Sequence, residues 1–401
     1  MKSGSLEVNT KTASRIAVKR FAWVPRGAHP ETFSDEDLTI YKRALRWQRK
    51  HAVECLLSTD NKQKDKIHRV AKCYVMRIQK NVDVHYTPKI KRAHYGGLMI
   101  CGRVWVCPLC AAKITERRRM ELESACVDGL SFFMVTITLQ HNAKDKLKKI
   151  IDDLGEAWRK VTSGRGWQDM KAKYNLVGSV TGREVTYGIQ HGWHPHLHVL
   201  YYSRVPLDEI NTDEIRQFVS DRFGFAVAKV GRYASPLHGV NVIKGNDLTS
   251  RYVVKVGLED DKKKTWSLIS EITKAPAKIG MMRGNHYTPF QLVDLWMCGD
   301  RAAGARFVEY DQAMKGRKQL TYSRGLRKLL KIGAEVTDQE LAEAQDQEAR
   351  LFAMLSPDGW RQVLKAGKRG ALLEVVSFGD YAIFRNWCVL NGVEDLPPEA
   401  S

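Results

Sequence analysis

The stretch LVGSVTGREVTYGIQHGWHPHLHVL, residues 176 to 200, decides the fold. Two runs rich in β-branched and aromatic residues, Leu176 to Tyr187 and His194 to Tyr202, flank a short Gly188-to-Trp193 connection with two glycines. That pattern predicts an antiparallel hairpin. In a strand, residues two apart point the same way, so His196 and His198 share one face while Leu197 and Val199 take the other. A residue about as far before the turn as His196 lies after it should sit across from it, and Glu184 fits that place. Two neutral imidazoles and a carboxylate suit a divalent cation such as Mg²⁺ or Mn²⁺, and they leave positions open for water and substrate. His194 could reach the same face, but Pro195 argues for strand entry there, which makes His194 a reserve ligand. Four of the 12 histidines crowd into residues 191 to 198.

Working outward, Ser131 to Leu139 reads as a buried strand. Leu147, Ile150, Ile151, Leu154 and Trp158 then fall on one face of an amphipathic helix. Beyond the hairpin come a helix from about Leu207 to Phe223 closed by Gly224, a strand from Val240 to Ile243, and a helix from Leu248 to Val256. The order strand, helix, strand, strand, helix, strand, helix is a split β-α-β arrangement around a central antiparallel sheet, an α+β domain. Residues 1–36 are polar and expected to be flexible. Residues 37–125 form a helical, Cys-rich, basic region, with one helix from Asp37 to about Val70 and another from Ala111 to about Ala125. Residues 126–260 carry the sheet. Residues 261–335 form a basic extension, and 336–401 an acidic helical segment, with a solvated helix expected over 338–355.

The chain has 401 residues, enough for two or three domains with a real core. Its net charge of +20 makes a polyanion the first partner to consider, although a basic surface also serves solubility. No run of 18 apolar residues exists, which excludes a membrane-spanning helix by composition. Met1 to Phe21 lacks an apolar core of the kind that directs secretion, so a cytoplasmic location is expected. No G-x-x-x-x-G-K-[ST] phosphate loop and no internal repeat is present.

Four of the eight cysteines, Cys73, Cys101, Cys107 and Cys110, have the ingredients of a four-thiolate zinc site. The alternative is four reduced, buried thiols; a disulfide is disfavoured because nothing indicates export. Cys55, Cys126, Cys298 and Cys388 are scattered and read as ordinary core thiols. The basic helix carries Arg117, Arg118 and Arg119. The run from Lys315 to Lys331 holds Arg317, Lys318 and Arg324 without an acidic residue. With Tyr322 among them, these suit phosphate contacts and base stacking on DNA, or simply a solvated face. In Arg251-Tyr252-Val253-Val254-Lys255, Tyr252 and Lys255 lie one helical turn apart. A phenol titrates near pH 10 and attacks poorly until its phenolate is stabilised, which Lys255 could do. Alone, this pattern is common in structural helices.

Together these features resemble the HUH endonucleases, in particular the rolling-circle replication initiator (Rep) proteins of bacterial plasmids. The motif order matches: a strand at Phe133 to Thr138, His196-Leu197-His198, then Tyr252 with Lys255. Cys101 to Ile114, Thr288-Pro-Phe-Gln-Leu292 and Lys315 to Leu326 are similar to flanking blocks of those proteins, so the resemblance covers roughly residues 40 to 335. It implies a ferredoxin/RRM-like HUH core flanked by helical segments and a zinc-binding insert. It also implies that the protein binds double- and single-stranded plasmid origin DNA and nicks one strand. Tyr252 would become a 5′-phosphotyrosine with Lys255 assisting, and His196, His198 and Glu184 would hold Mg²⁺ or Mn²⁺. The freed 3′-OH would prime a host DNA polymerase, with a host helicase separating the strands. One departure stands out. Related initiators carry a glutamate four residues before the tyrosine, where this chain has Leu248; Asp247 and Glu259 lack that spacing. Termination therefore falls to water, to another tyrosine such as Tyr233, or to a second subunit.

Two other readings compete. One is a different HUH enzyme, a transposase or relaxase, although relaxases generally place the tyrosine before the histidines. The other is a non-enzymatic zinc DNA-binding regulator, which leaves His196, His198 and Tyr252 unexplained.

Overall fold

The computed structural model describes residues 33–59, 67–125, 129–245, 272–273 and 286–396. The chain opens with helix α1 (Asp35–Thr59), passes through strands β1 (Val82–Thr87) and β2 (Arg92–Gly96), and enters helix α2 (Pro108–Ser124). There follow β3 (Ser131–Ile137), α3 (Leu147–Val161), α4 (Gly164–Lys173), the long strands β4 (Leu176–Gly188) and β5 (Gly192–Ser203), α5 (Thr212–Ala228) and β6 (Val240–Lys244). Then come β7 (His286–Tyr287), α6 (Pro289–Met297), α7 (Arg301–Met314) and β8 (Leu320–Tyr322). Residues beyond these form α8 (Asp338–Glu343), β9 (Arg350–Leu355), α9 (Pro357–Lys365), α10 (Arg369–Val376), α11 (Tyr381–Leu390) and β10 (Asp395–Leu396). Among the described residues no helix is long and apolar enough to cross a membrane.

The protein is α+β, and its contacts divide it into two compact units. One comprises Met1–Arg103, Cys107–Cys110 and Gln339–Ser401; the other comprises Val104–Val106 and Ala111–Asp338.

The second unit holds a sheet in the order β6-β3-β5-β4-β7, with β8 beside β4, and every pairing is antiparallel. The alternation of β5 buries both faces. Leu197, Val199 and Tyr201 face the side where α3, α4 and α5 supply Ile151, Leu154, Trp167 and Val219. Leu200 and Tyr202 face the other side, in one apolar cluster with Leu122, Met134, Val180, Ile272, Leu320 and Leu326. His196 and His198 have the parity of Leu200. They therefore stand on this second face, where apolar cover gives way to polar side chains. Each large apolar side chain so buried contributes on the order of 1.5–3 kcal/mol.

Three elements differ from the sequence reading. The helix expected over 207–223 instead runs Thr212–Ala228, because Asn211 accepts the N–H groups of Asp213 and Glu214 and so caps it there. Gly224 then lies inside the helix at a position where a side chain would meet nothing, and Ala226 and Val227 carry the buried stripe onward. The helix α4 is an addition; its Gly164-Arg-Gly start is a poor helix signal, and burial of Trp167 and Met170 overrides it. The expected acidic helix over 338–355 stops at Glu343: Asp346 folds back on the N–H of Glu348, and Arg350–Leu355 becomes strand β9.

The first unit is built on a second antiparallel sheet, in the order β10-β9-β1-β2. Arg369 at the start of α10 ties it together. Both its terminal nitrogens lie 2.7 Å from the two Glu54 oxygens of α1, and it also donates to Tyr74 O at 3.1 Å, while Tyr95 OH donates to Arg369 O at 2.7 Å. Burial opposes the charge on Glu54, but the hydrogen bonds from Arg369 and His51 and the charge of Lys50 hold its pKa down at about 2. The helix expected from Asp37 to Val70 is seen through Thr59; residues 60–66 lie outside the described set.

Candidate metal centres

The β4–β5 hairpin sets its own register. Gly188 faces Gly192 beside the turn, and counting back places Glu184 opposite His196 and Gly182 opposite His198. Glu184 therefore lies diagonal to His198, and Glu184 Oε2 is 3.1 Å from His198 Nε2. Both groups are buried, at 9% and 5% exposure, so the pair sits in a low dielectric where a lone carboxylate would be costly. The rings of His196 and His198 lie 5.9 Å apart with planes inclined by only 22°.

The third strand of the site is β3, which places Thr136 opposite His198 on the other side. Thr136 Oγ1 is 2.9 Å from His198 Nδ1. With an ionised Glu184, which only accepts, His198 donates from Nε2. Serving as a nitrogen ligand through Nε2 requires the other tautomer, in which Nδ1–H donates to Thr136. The Glu184–His198 separation fits that exchange: cis ligands at the 2.0–2.1 Å of Mg²⁺ lie roughly 3.0 Å apart. Two imidazoles and one carboxylate are donor types that a divalent ion takes, but among the described residues these three are not a set whose donor atoms already converge. Gly182 keeps the neighbouring surface tight, since a Cβ there would meet Ile272 O at 2.9 Å.

Histidines continue along this face. His194 and His196 rings are 4.3 Å apart, edge to face, and His141, from the loop after β3, has its Nε2 2.5 Å from His194 Nδ1. Burial, with the neighbouring imidazoles of His141 and His286 acting in the same direction, lowers the pKa of His194 to about 4; burial likewise lowers that of His141. Thr136 and His141 were missed by the sequence reading. The parity of β3, with Thr136 and Thr138 on one side, was the available signal for the first; for His141, the pairing of its loop with the hairpin turn leaves no local trace.

The second centre belongs to the first unit. Among the described residues, Cys73, Cys101, Cys107 and Cys110 form the one set of three or more potential ligands whose donor atoms converge, all four sulfurs within 4.8 Å of one another and buried. Cys73–Cys110, Cys101–Cys110 and Cys73–Cys107 sulfur separations are 3.7, 3.5 and 3.9 Å. Tetrahedral ligands at a Zn–S distance of 2.3 Å lie about 3.8 Å apart, so the thiols already stand where such an ion needs them. Two left-handed residues make the ligand turns: Tyr74 (φ 53°) after Cys73 and Gly102 (φ 62°) after Cys101. Cys107 immediately precedes α2 and Cys110 lies in its first turn, where the helix N–H groups favour thiolates. At Cys107 burial opposes ionisation, yet hydrogen bonds from Cys101, Cys110 and Cys73 and the charge of Lys50 bring its pKa well below the usual thiol value. Burial is the leading cause that raises Cys101. The other cysteines part company with the sequence reading: Cys388 is a core thiol, but Cys55 and Cys298 are exposed. Cys126 lies outside the described residues.

The basic side chains singled out in the sequence have mostly internal partners. Arg118 is 8% exposed and reaches Gln319 Oε1 at 2.7 Å and Asp338 Oδ1 at 2.5 Å. Arg119 closes on Glu116 and Glu123. Arg317 donates to Asp152 Oδ1 at 2.6 Å and to Ala313 O at 2.7 Å, and Lys318 pairs with Glu335 at 2.8 Å on the surface. Tyr322 lies under the guanidinium of Arg327, 4.8 Å away, rather than offering an open ring. Arg117 is half-buried and Arg324 exposed. Tyr252 and Lys255, with Leu248, Asp247 and Glu259, lie outside the described residues.

No family model matches the chain, and no solved structure matches it. It is 28% identical over 132 residues to the Neomycin resistance protein of Streptomyces cyanogenus, covering 26% of this chain and 30% of that protein. Over 342 residues it is 28% identical to Protein rep of Streptomyces lividans, a likeness that takes in 67% of this chain and 73% of that protein.

Proposed function

We propose that this chain is a rolling-circle plasmid replication initiator of the HUH type, a site-specific single-strand DNA endonuclease and strand transferase. The observation that carries the reading is the hairpin register: Glu184 opposite His196, with His198 Nε2 3.1 Å from Glu184 Oε2. It puts two imidazoles and a carboxylate on one sheet face. The antiparallel order β6-β3-β5-β4 is consistent with a split β-α-β core, and the likeness to Protein rep supports the replication role. The net charge of +20 suits origin DNA.

In this reading His196, His198 and Glu184 hold Mg²⁺ or Mn²⁺, which when bound polarises the scissile phosphate. Tyr252 Oη attacks phosphorus; the Oη–P bond forms, the P–O3′ bond breaks, the phenol proton is lost, and O3′ takes up a proton as the free 3′-OH. Lys255 offsets phenolate or phosphate charge. Transesterification conserves the bond, so the reverse step rejoins strands without a nucleotide cofactor. The 3′-OH primes a host polymerase behind a host helicase. Cys73, Cys101, Cys107 and Cys110 hold a structural Zn²⁺ that fixes the start of α2. Arg117, Lys318 and Arg324 offer phosphate contacts, whereas Arg118 and Arg317 act first as internal ties.

The test is a labelled origin oligonucleotide incubated with the protein and Mn²⁺, resolved on a denaturing gel. A covalent adduct is expected from the wild type and none from Tyr252→Phe. No wild-type adduct on any strand of the origin would overturn the reading in favour of a non-enzymatic zinc DNA-binding regulator.

A further inference from the structure

The backbone that follows Cys73 is held by residues 285 and 295 positions further along the chain. Arg369, the first residue of α10, donates to Tyr74 O at 3.1 Å, and Trp360 of α9 donates from Nε1 to Val75 O at 2.9 Å. Arg369, Trp360 and Tyr74 are all buried. Two consecutive carbonyls of this turn therefore find their partners in the C-terminal segment, and a carbonyl shut away from water without a partner is costly.

Tyr74 needs that support. Its φ of 53° lies in the left-handed region, which residues with a Cβ rarely adopt. Its N–H donates to Met99 O at 2.9 Å, two residues before Cys101, and Cys101 N–H donates to Cys73 Sγ at 3.3 Å. The turn that Arg369 and Trp360 grip thus joins the first two cysteines of the cluster. The grip is itself anchored. Arg369 forks onto both Glu54 oxygens at 2.7 Å, Glu54 also accepts from the fully buried Lys50, and the Arg369 guanidinium lies 5.5 Å from the Trp47 ring. A Cβ on Gly370 would strike Trp47, so the start of α10 sits flush on α1.

We propose that the four-cysteine centre locks the C-terminal segment: Trp360 and Arg369 are positioning residues that hold the turn after Cys73, so that a metal ion on the four thiolates pins residues 357–376 in place. The docked segment in return tightens the centre's hold on its ion, since such coupling is reciprocal by thermodynamic necessity. The proposal rests on reading Cys73, Cys101, Cys107 and Cys110 as a metal centre. It gives Trp360 and Arg369 no bond to the metal; their effect passes through the backbone beside Cys73.

The test uses the full chain with Co²⁺ as the probe ion, whose visible absorption in a four-thiolate site reports both affinity and sulfur geometry. Arg369→Met removes the donor to Tyr74 O, and Trp360→Phe the donor to Val75 O. Each should bind Co²⁺ roughly 10–100-fold more weakly than wild type and shift the absorption bands. Arg369→Lys, which can still donate to Tyr74 O, should recover part of the affinity. Val363→Ala, which thins the core beneath α9 and touches neither carbonyl, should lower the melting temperature and leave the bands unchanged. The reciprocal readout is amide hydrogen exchange by mass spectrometry. Removing the metal from wild type with a chelator should speed exchange over 357–376 by roughly 5–150-fold and leave 212–228 of the second unit as it was. Wild-type affinity and bands in a folded Arg369→Met, or exchange over 357–376 that does not respond to the metal, overturns the proposal. The exchange result decides even if that variant does not fold. If wild type takes up no Co²⁺, or Cys107→Ser takes up as much as wild type, the metal reading itself is wrong. If Cys107→Ser loses the ion while Arg369→Met keeps it at wild-type affinity, only the coupling is lost.

Discussion

His198 is the residue on which most of the site depends, because both of its nitrogens are engaged inside the protein. Replacing Glu184 with Ala removes the acceptor and leaves a buried N–H facing nothing. The expected cost is about 1–3 kcal/mol, read as a lowered urea midpoint in the presence of chelator. Replacing Thr136 with Val keeps the shape but removes the partner of Nδ1. It should weaken Mn²⁺ binding by roughly 10–100-fold with little loss of fold, measured by calorimetry beside a thermal melt. Equal Mn²⁺ affinity for Thr136→Val and wild type would mean that Nδ1 needs no such support. At this scale the sequence was readable where chemistry and parity coincide. His196, His198 and Glu184 follow from a two-residue period and a turn. Thr136 belongs to a strand whose pairing partner lies 62 residues away in sequence, so its role needed the register of a second strand pair.

Among the elements, the hairpin turn is the most constrained. Gly192 has φ 78° and a side chain there would strike Ala143, so Gly192→Ala meets both left-handed strain and a clash. It should destabilise by more than ~1 kcal/mol, which thermal denaturation checks. The start of α2 depends on its thiols in a different way. If the four-cysteine cluster holds zinc, then Cys107→Ser, or a strong chelator, should release about one equivalent of zinc and lower the melting temperature, as followed by a colorimetric zinc assay beside circular dichroism. The hairpin was visible in the sequence because its two halves are neighbours. Strand β9 was not: its partners β1 and β10 are remote or short, and the acidic residues before it mimic a solvated helix. Ala353 and Leu355, buried at every second position, are its only local mark.

For the molecule as a whole, the net charge of +20 says less about DNA than its placement does. Arg118, Arg119, Arg317 and Arg327 turn inward to carboxylates, so salt-sensitive DNA affinity should respond more to Arg324→Ala than to Arg317→Ala, whose loss is chiefly structural. Filter binding at two salt concentrations, with melts of both variants, separates the cases. In the first unit, the Glu54–Arg369 pair makes stability depend on acid. The pKa of Glu54 is depressed to about 2 from an ordinary 4.5, so its contribution is complete above pH 4.5 and is lost as pH falls toward 2. Glu54→Gln should flatten that part of an acid-unfolding curve. The same unit has one further property. Its sheet joins β1 to β9, strands separated by about 265 residues, which at 5–20 residues per second take the ribosome roughly 13 to 53 seconds to make. Throughout that interval the nascent chain holds β1 with an open edge, and α1 without the arginine that anchors it. The intervening sheet of the second unit, by contrast, has all its strands to hand by Tyr322. The two units therefore mature in the reverse of the order in which they begin. Each molecule acquires a finished first unit only after residues 350–396 have emerged, which builds a delay between synthesis and competence into the topology itself.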